Sequence, residues 1–264
     1  MTKTKLTKVL ALYDSHYPFT INLKPFIQFA SMYQPDIFLL GGDNWSLDCI
    51  SHWNDADFKN VGFDNVQIQL QSEARGLQVQ LDMFRTAMPH AKFVYILGNH
   101  EEWVKQFVAK YPQMNALTVE SLLQLSKRRI QVIPFGKTYR IGELYFKHGH
   151  EFGTENPAKQ AVIRSHHSIV IGHHHTFKVW ADYSDVVDTE RHVGMLVPCY
   201  CNRAPDYGRG RPNAWLNGFF YASVKPSGKF SAGVQLVAPN GTFIAQDGRM
   251  FEGEGSNTHA RKKV

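Results

Sequence analysis

The sequence predicts an α/β fold in which two facing mixed β-sheets are flanked by helices. In the first half of the chain, brief apolar runs alternate with segments of helical spacing, which is typical of β-α-β units. After about residue 130 the pattern changes to short strands separated by Gly, Pro and Asn. The 264 residues, of which 43% are apolar, are enough to bury the core of one such domain.

Three apolar runs of the first half predict buried parallel strands, because each is short, lacks polar alternation and is bounded by turn residues. The spacing of apolar residues predicts a helix in each of the two intervals between them. Strand, helix, strand, helix, strand is the order in which parallel neighbours are joined. The predicted strands are Val9–Tyr13, Ile37–Leu40 and Phe93–Leu97, and the predicted helices are Leu23–Met32 and Val66–Thr86.

Two further helices are predicted after the third strand, Glu101–Lys110 and Leu117–Lys127, and one more near Ala158–Ser165. The rest of the chain favours strands, with strong turn signals at Pro-Ser-Gly 226–228 and Pro-Asn-Gly 239–241. The predicted strands are Ile130–Ile133, Lys137–Ile141, Leu144–Lys147, Ser168–Ile171, Val193–Pro198, Gly218–Lys225, Phe230–Val237 and Thr242–Ala245.

Residues 1–250 are predicted to form one domain, with closing strands from about residue 190, and residues 251–264 a basic, flexible tail. No run approaches the roughly 20 apolar residues of a membrane span. The apolar stretch near the N-terminus is too short for a secretion signal. We therefore expect no membrane partner and a cytoplasmic location.

The charge and the cysteines narrow the function classes further. Lys and Arg number 29 against 23 acidic residues, and this excess favours anionic partners. Three cysteines cannot form a disulfide framework. We interpret the Cys-x-Cys of Cys199 and Cys201 as small residues on a buried strand, since half of a soft-metal site is the most it could supply.

Residues of the types that ligate metals follow five of the predicted strands. Each group alone is a weak signal, because a single Asp-x-His or Gly-Asn-His is common in ordinary turns. Ligands bind outside the carboxyl ends of strands in α/β sheets, so all five groups should converge on one rim. The groups are Asp14-Ser15-His16, Gly41-Gly42-Asp43-Asn44, Gly98-Asn99-His100-Glu101, His148-Gly149-His150 and Gly172-His173-His174-His175.

Taken in order, these groups resemble the signature series of the calcineurin-like metallophosphoesterases. The resemblance covers roughly residues 8 to 180 and is to the stand-alone members of bacteria and phages. It implies the α/β/β/α metallophosphoesterase sandwich and two divalent metal ions, with Mn expected first and Fe, Zn or Ni as alternatives. It implies Asp14, His16, Asp43 and His175 as ligands of the first ion, and Asp43, Asn99, His148 and His173 as ligands of the second.

The resemblance also implies the reaction, hydrolysis of phosphate esters by a hydroxide that bridges the two metals, with His100 as the proton donor to the leaving oxygen or as its stabiliser. We favour a phosphodiesterase acting on nucleic acid, DNA or RNA, or on a nucleotide diester. The basic charge and the absence of the Arg-Gly pair of protein Ser/Thr phosphatases support this choice. The alternatives are a phosphomonoesterase with the same site and a non-catalytic scaffold. The oligomeric state is left open.

One departure from the family pattern concerns the group that orients the catalytic histidine, His100 in this chain. The family often has Gly-Asp-x-x-Asp, and its second Asp orients the catalytic histidine, whereas this chain has Ser46 at that place and Asp48 two residues later. Either Asp48 takes over this role or another group holds His100.

Several other residues are candidates for contacts around the metals or with the substrate. Trp45, His52 and Trp53 could form an aromatic wall, although packing is the alternative, and Glu101 could simply begin a helix. The remaining candidates are His150 and His174, beside ligand positions, and Arg203, Arg209 and Arg211, in a basic loop that could grip phosphate. For both groups a solvent-facing role is the alternative.

Overall fold

Two mixed β-sheets face each other, and helices cover their outer surfaces. The computed structural model describes residues 5–51, 63–182, 191–203 and 213–253. The predicted fold class is confirmed by these two sheets and their helices. No helix of the described ranges is both long and apolar enough to cross a bilayer.

The first sheet has six strands in the order β11-β10-β1-β2-β3-β4. Strands β1 to β4 are parallel neighbours, as the alternation of strands and helices predicts, and β10 and β11 extend the sheet antiparallel on the β1 side. The strands are β1 (Thr7–Leu12), β2 (Ile37–Leu40), β3 (Lys92–Ile96), β4 (Ile130–Ile133), β10 (Asn217–Val224) and β11 (Phe230–Val237).

The second sheet has five strands in the order β5-β6-β7-β9-β8. Its three central strands, β6, β7 and β9, are parallel, and the two edge strands pair antiparallel with them. The strands are β5 (Tyr139–Ile141), β6 (Leu144–Phe146), β7 (Ser168–Ile171), β8 (Lys178–Ala181) and β9 (Val193–Leu196). A small hairpin of β12 (Phe243–Ile244) and β13 (Met250–Phe251) follows the first sheet. Residues 254–264, within the predicted basic tail, lie outside the described part.

The helices pack on the two outer faces. They are α1 (Lys24–Tyr33), α2 (Phe63–Ala87), α3 (Asn99–Lys110), α4 (Val119–Leu122) and α5 (Pro157–Ser165), with 3-10 turns at Asp48–Ile50 and Pro112–Met114. The helix predicted over 117–127 is confined to α4. Leu125 N–H donates to Glu120 O at 3.0 Å and Gln124 has a φ of 49°, so a left-handed turn replaces the predicted second half of the helix.

Strand alternation explains why both faces of the first sheet are apolar. In β1, Val9 and Ala11 join the core between the sheets, whereas Leu10 and Leu12 join the core beneath α1, α2 and α3. A strand presents successive side chains to opposite faces, so a strand buried on both sides must be apolar throughout. A third, smaller core joins α5 to β7 and β9. These layers hold the carboxyl ends of the parallel strands firmly at one rim.

Candidate metal centre

The loops after β1 and β2 are joined by backbone hydrogen bonds. Asp14 N–H donates to Gly42 O at 3.0 Å, and His16 N–H donates to Asp43 O at 3.0 Å. The two strands are parallel neighbours, so their carboxyl ends emerge side by side. The first two ligand-bearing groups are therefore fixed to each other through the main chain rather than through flexible side chains.

Two glycines allow the backbone to approach the site closely. A Cβ on Gly42, whose φ is +100°, would lie 2.5 Å from His148 Nδ1, and a Cβ on Gly98 would lie 2.1 Å from Asp43 Oδ1. A larger residue at either position would displace a predicted ligand. Five predicted ligands themselves have left-handed backbone, at about 1–3 kcal/mol each for such conformations. These five are Asp14, His16, Asp43, His173 and His175.

Asp14, His16 and His175, which we call the first half-site, lie together in a buried position. The Nε2 atoms of His16 and His175 are 3.2 Å apart, and His175 Nε2 is 3.5 Å from Asp14 Oδ1. Asp14 Oδ2 accepts a hydrogen bond from His173 N–H at 2.8 Å, but Oδ1 has no hydrogen-bond partner among the described residues. A buried carboxylate oxygen without a partner is costly, and a cation would satisfy it.

Asn99, His148 and His173, which we call the second half-site, surround the other side of Asp43. His148 Nε2 lies 3.0 Å from Asn99 Oδ1 and 3.1 Å from Asp43 Oδ2. His148 Nδ1 lies 3.2 Å from Gly41 O, and because a carbonyl can only accept, Nδ1 carries the hydrogen. Nε2 is therefore the ring nitrogen that faces the site, and a cation that displaces its proton would find the lone pair in the position that a metal ligand requires.

Asp43 is shared between the half-sites. Its carboxylate and the donor atoms of His148 and His173 all lie within 4.8 Å of one another. A carboxylate oxygen of Asp43 and the ring nitrogens of His16 and His100 also lie within 4.8 Å of one another. The structure therefore brings the seven predicted ligand residues to one rim around Asp43. Distances of 3.0–3.5 Å between donors within each half-site suit bonds of about 2.0–2.2 Å to one ion.

Glu101 holds the loop that carries Asp43, a role that the sequence analysis missed. Its buried carboxylate accepts hydrogen bonds from five donors at 2.8–3.2 Å. Burial and the neighbouring Asp43 raise the pKa of Glu101, whereas the bonds from Tyr95 and Gly98 oppose that shift. The donors are the N–H groups of Asp43, Asn44, Trp45 and Gly98 and the hydroxyl of Tyr95.

His100 lies beside the second half-site at the start of α3. Its Nδ1 lies 2.6 Å from Ser46 O, so Nδ1 carries the hydrogen and Nε2 faces Asp43 Oδ2 at 3.8 Å. A backbone carbonyl thus holds the histidine in place of the carboxylate of the family pattern. The Ser46 hydroxyl donates to Asp48 Oδ1 at 2.9 Å, so Asp48 supports the loop that carries this carbonyl.

The histidines of the site differ in proton affinity. Burial disfavours the charged ring of His148, but the facing Asp43 carboxylate outweighs burial and raises its pKa to about 9. In the same way, Asp14 opposes burial and raises the pKa of His175 to about 10. Burial lowers the pKa of His173 to about 4 and holds that of His16 well below its usual value. Without cations, the carboxylates thus take protonated histidines as partners.

The other candidate residues are distributed around the rim. His150 stacks on Phe135 with ring centroids 4.2 Å apart, and the ring of His174 lies 5.0 Å from that of His173. Arg203 contacts Trp215 O at 3.5 Å. Trp45 is fully buried and donates to Glu73 at 2.9 Å, so it packs in the core rather than forming a wall over the metals. His52, Trp53, Arg209 and Arg211 lie outside the described residues.

Two tryptophans flank the site without having been predicted. The Trp103 ring lies 4.0 Å from that of His100, and the Trp215 ring lies 4.1 Å from that of His175. Both are partly exposed. Trp103 could have been found from its position one helical turn after Asn99, since residues three or four apart share a helix face. Trp215 gave no local signal, because it comes from a segment distant in sequence.

Cysteine also lies at this rim. The group of His16, His175 and Cys201 has its donor atoms within 4.8 Å of one another. A hydrogen bond from Cys201 and the proximity of His175 oppose burial and lower the pKa of Cys199 to about 6. We expected the two cysteines to be only small residues of a buried strand. The structure instead places Cys201 beside two predicted ligands, because the segment after β9 reaches the site.

Comparison with known proteins yields structural likenesses alone. No family model matches the chain, and no curated protein matches it by sequence. The chain is similar to a double mutant of Vps29 from Entamoeba histolytica, at 10% identity and a TM-score of 0.47, over 89% of this chain and 94% of that one. It is also similar to a conserved uncharacterized protein, a predicted phosphoesterase, from Streptococcus pneumoniae TIGR4, at 10% identity and a TM-score of 0.39, over 92% and 95%.

A third similar structure is wild-type Vps29 complexed with zinc from Entamoeba histolytica, at 10% identity and a TM-score of 0.41, over 87% of this chain and 98% of that one. With identity this low and TM-scores below 0.5, these likenesses assign no activity to the chain. The functional argument therefore depends on the residues at the rim.

Proposed function

We propose that this chain is a two-metal phosphoesterase that acts on phosphodiesters of nucleic acid or of a nucleotide. The observation that carries the proposal is the position of Asp43 between two sets of nitrogen and oxygen donors at one rim. The motif series that resembles the calcineurin-like metallophosphoesterases supplies the same residues in the same order. A single ion would leave one of the two donor sets without a role.

The donor set fits two divalent cations. The first half-site with Asp43 offers two carboxylates and two imidazoles, and the second offers an amide oxygen and two imidazoles around the shared Asp43. Such donors suit Mn, Fe, Zn or Ni. Two carboxylates leave two bound divalent cations with a net charge of about +2, which attracts an anionic ester. When bound, the cations supply Lewis-acid chemistry and a nucleophilic water at neutral pH.

The chain's own contribution to the reaction is the position of His100. The bond from Nδ1 to Ser46 O fixes the ring, so Nε2 is the atom that holds or releases a proton at the open side of the site. The side chain is 19% exposed, which allows contact with a substrate. In the proposed reaction, protonated Nε2 donates to the leaving oxygen of the ester and thereby avoids release of a free alkoxide.

Features around the rim support a nucleic-acid or nucleotide substrate. Trp103 and Trp215 are partly exposed beside the site and offer aromatic surfaces for a base. Arg203 contacts the Trp215 carbonyl and could reach a second phosphate. The formal charge of +6 favours an anionic polymer. A phosphodiester between nucleotides offers a base to the tryptophans, a further phosphate to Arg203 and negative charge to the basic protein.

The test compares a generic aryl phosphodiester with the matching monoester, using protein loaded with Mn²⁺ or Zn²⁺. We expect faster hydrolysis of the diester. His100→Ala should retain its metal content but lower kcat by roughly 10²–10⁴-fold, the usual cost of losing a general acid. His90→Ala, at an exposed histidine far from any motif, is the matched control and should leave kcat unchanged.

The outcomes separate the alternatives. Hydrolysis of the monoester alone would replace the proposal by a phosphomonoesterase. A chain that takes up cations but hydrolyses neither ester nor nucleic acid would instead be a non-catalytic scaffold. Full activity of His100→Ala on an ester with a poor leaving group would remove the role proposed for His100.

A further inference from the structure

The segment after β9 adds a sulfur atom to the first half-site. β9 is parallel to β7, so its carboxyl end emerges at the same rim as His173 and His175. Cys201 follows β9 by five residues and is buried, with 2% of its surface exposed. Its Sγ lies within 4.8 Å of the ring nitrogens of His16 and His175, which are also buried.

The backbone of this segment is anchored on both sides of Cys201. Tyr200 N–H donates to Asp14 O at 3.1 Å, which ties the segment to the loop after β1. Asn217, a buried side chain at the start of β10, donates from Nδ2 to Cys201 O at 2.7 Å. Cys201 also forms a β-bridge with Thr20. The position of its thiol relative to the first half-site is therefore set by the main chain.

The donor atoms around the first half-site differ in kind from those of the second half-site. Around the first half-site stand two imidazoles, a thiol and the Asp14 Oδ1 that has no hydrogen-bond partner among the described residues. The shared Asp43 adds a second carboxylate, and imidazole, thiolate and carboxylate are all ligands that Zn²⁺ takes in proteins. Mn²⁺ favours oxygen, and thiolate selects softer ions. The second half-site offers no sulfur among its three residues.

We infer that Cys201 is a ligand of the cation in the first half-site, and that this half-site therefore selects Zn²⁺ over Mn²⁺. The inference rests on the proposed function only in requiring that the first half-site binds a cation. As the sulfur–metal bond forms, the Cys201 thiol releases its proton to the solvent. The ion is bound by the resulting thiolate, with no change in oxidation state.

The test uses Co²⁺, which occupies Zn²⁺ sites and gives a near-ultraviolet charge-transfer band when thiolate is a ligand. We expect that the metal-free wild-type protein, titrated with Co²⁺, develops this band. Cys201→Ser should lose it and should still bind Co²⁺. Cys199→Ser and Cys49→Ser are the matched controls and should retain it, with circular dichroism confirming that each variant is folded.

A competition with Mn²⁺ measures the selectivity. In the wild type, Zn²⁺ should displace Mn²⁺ from the first half-site, and Cys201→Ser should weaken the preference for Zn²⁺ at least about tenfold, the lower range for losing even a supporting residue. Binding of Co²⁺ by the wild type without the band, or a band that persists in Cys201→Ser, would overturn the inference and leave the two-metal proposal intact. A wild type that binds no cation at all would overturn both.

Discussion

The two half-sites share Asp43 but are built by different means. In the second half-site, Asn99 begins a helix and His148 follows a strand, and a carbonyl orients the histidine ring from behind. In the first half-site, Asp14, His16 and His175 all have left-handed backbone, and a carboxylate oxygen lacks a hydrogen-bond partner in the described chain. One half-site is organised by hydrogen bonds in advance, whereas in the other a buried carboxylate oxygen has only the 3.5 Å contact with His175 Nε2.

This difference indicates how each half-site depends on a cation. A cation in the first half-site would satisfy Asp14 Oδ1, a buried oxygen that accepts no hydrogen bond from the described residues and has only the long contact with His175. In the second half-site, His148 Nδ1–H donates to Gly41 O and His148 Nε2 contacts Asn99 Oδ1, so part of the polar surface is already satisfied. We therefore expect ion binding in the first half-site to stabilise the fold more than ion binding in the second.

The largest expected effect comes from removing the shared ligand. Asp43→Ala should abolish binding of both cations and lower the proposed phosphoesterase activity by at least about 10³-fold, since bound metals would supply the nucleophile and the charge stabilisation. Asn99→Ala should weaken the second half-site alone and leave about one cation per chain. Metal analysis of both variants after dialysis against Zn²⁺ measures how many cations each variant retains per chain.

The matched control for these two variants is His90→Ala, an exposed residue between α2 and the amino end of β3, opposite the rim. It should retain the metal content of the wild type. Equal metal loss in Asp43→Ala and Asn99→Ala would contradict the division into two half-sites, and normal loading of Asp43→Ala would contradict the sharing of Asp43.

The second largest effect is expected on stability, from replacing Glu101. This residue fixes the loop that carries Asp43, which the two half-sites share. Glu101→Ala would leave four backbone N–H groups and the Tyr95 hydroxyl without their acceptor. We expect it to lower the free energy of unfolding by about 3–5 kcal/mol, because buried donors without partners are costly and several are lost together. Urea denaturation of chelator-treated protein measures the change.

Glu102→Ala provides the control, since the neighbouring carboxylate pairs with Lys105 at 3.2 Å on the helix surface. It should change the free energy of unfolding by less than about 1 kcal/mol, as exposed ion pairs do. Equal destabilisation by the two variants would show that the five hydrogen bonds of Glu101 contribute little.

The sequence predicts the fold class and the parallel strands because burial on both faces leaves continuous apolar runs, as in Val9–Tyr13 and Ile37–Leu40. It also indicates the rim, since Asp14, Asp43 and Asn99 follow such runs directly. These patterns are local in the sequence, so they can be recognised without knowledge of the three-dimensional contacts.

The supporting residues could not be predicted in the same way. Glu101 resembles any acidic residue in the first turn of a helix, and only the path of the loop after β2 makes it the acceptor of five bonds. Replacement of the family carboxylate by Ser46 O is a backbone contact, which residue types do not encode. Cys201 and Trp215 reach the rim through non-local pairing of strands.

The smallest expected effect is a pH dependence of stability that should differ between metal-free and metal-loaded protein. In the metal-free state, the pKa values of His148 and His175 are raised to about 9 and about 10, against about 6.5 in an unfolded chain. Raised pKa values contribute stability that is fully present below pH 6.5 and is lost as the pH rises through 9 and 10. We expect the metal-free protein to lose about 1–3 kcal/mol between pH 7 and 8.

The opposite sign applies to His173, whose pKa is lowered to about 4. The unfolded chain binds a proton there below pH 6.5 and the folded chain does not, so stability also falls as the pH drops from 6.5 towards 4. The metal-free protein should thus be most stable near pH 6.5. With saturating Zn²⁺ the histidines bind as neutral ligands, so the loss above pH 6.5 should disappear. Urea denaturation across this pH range, with chelator and with Zn²⁺, measures both curves. A metal-free curve that stays flat or rises from pH 7 to 8 would mean that Asp14 and Asp43 do not hold protonated histidines.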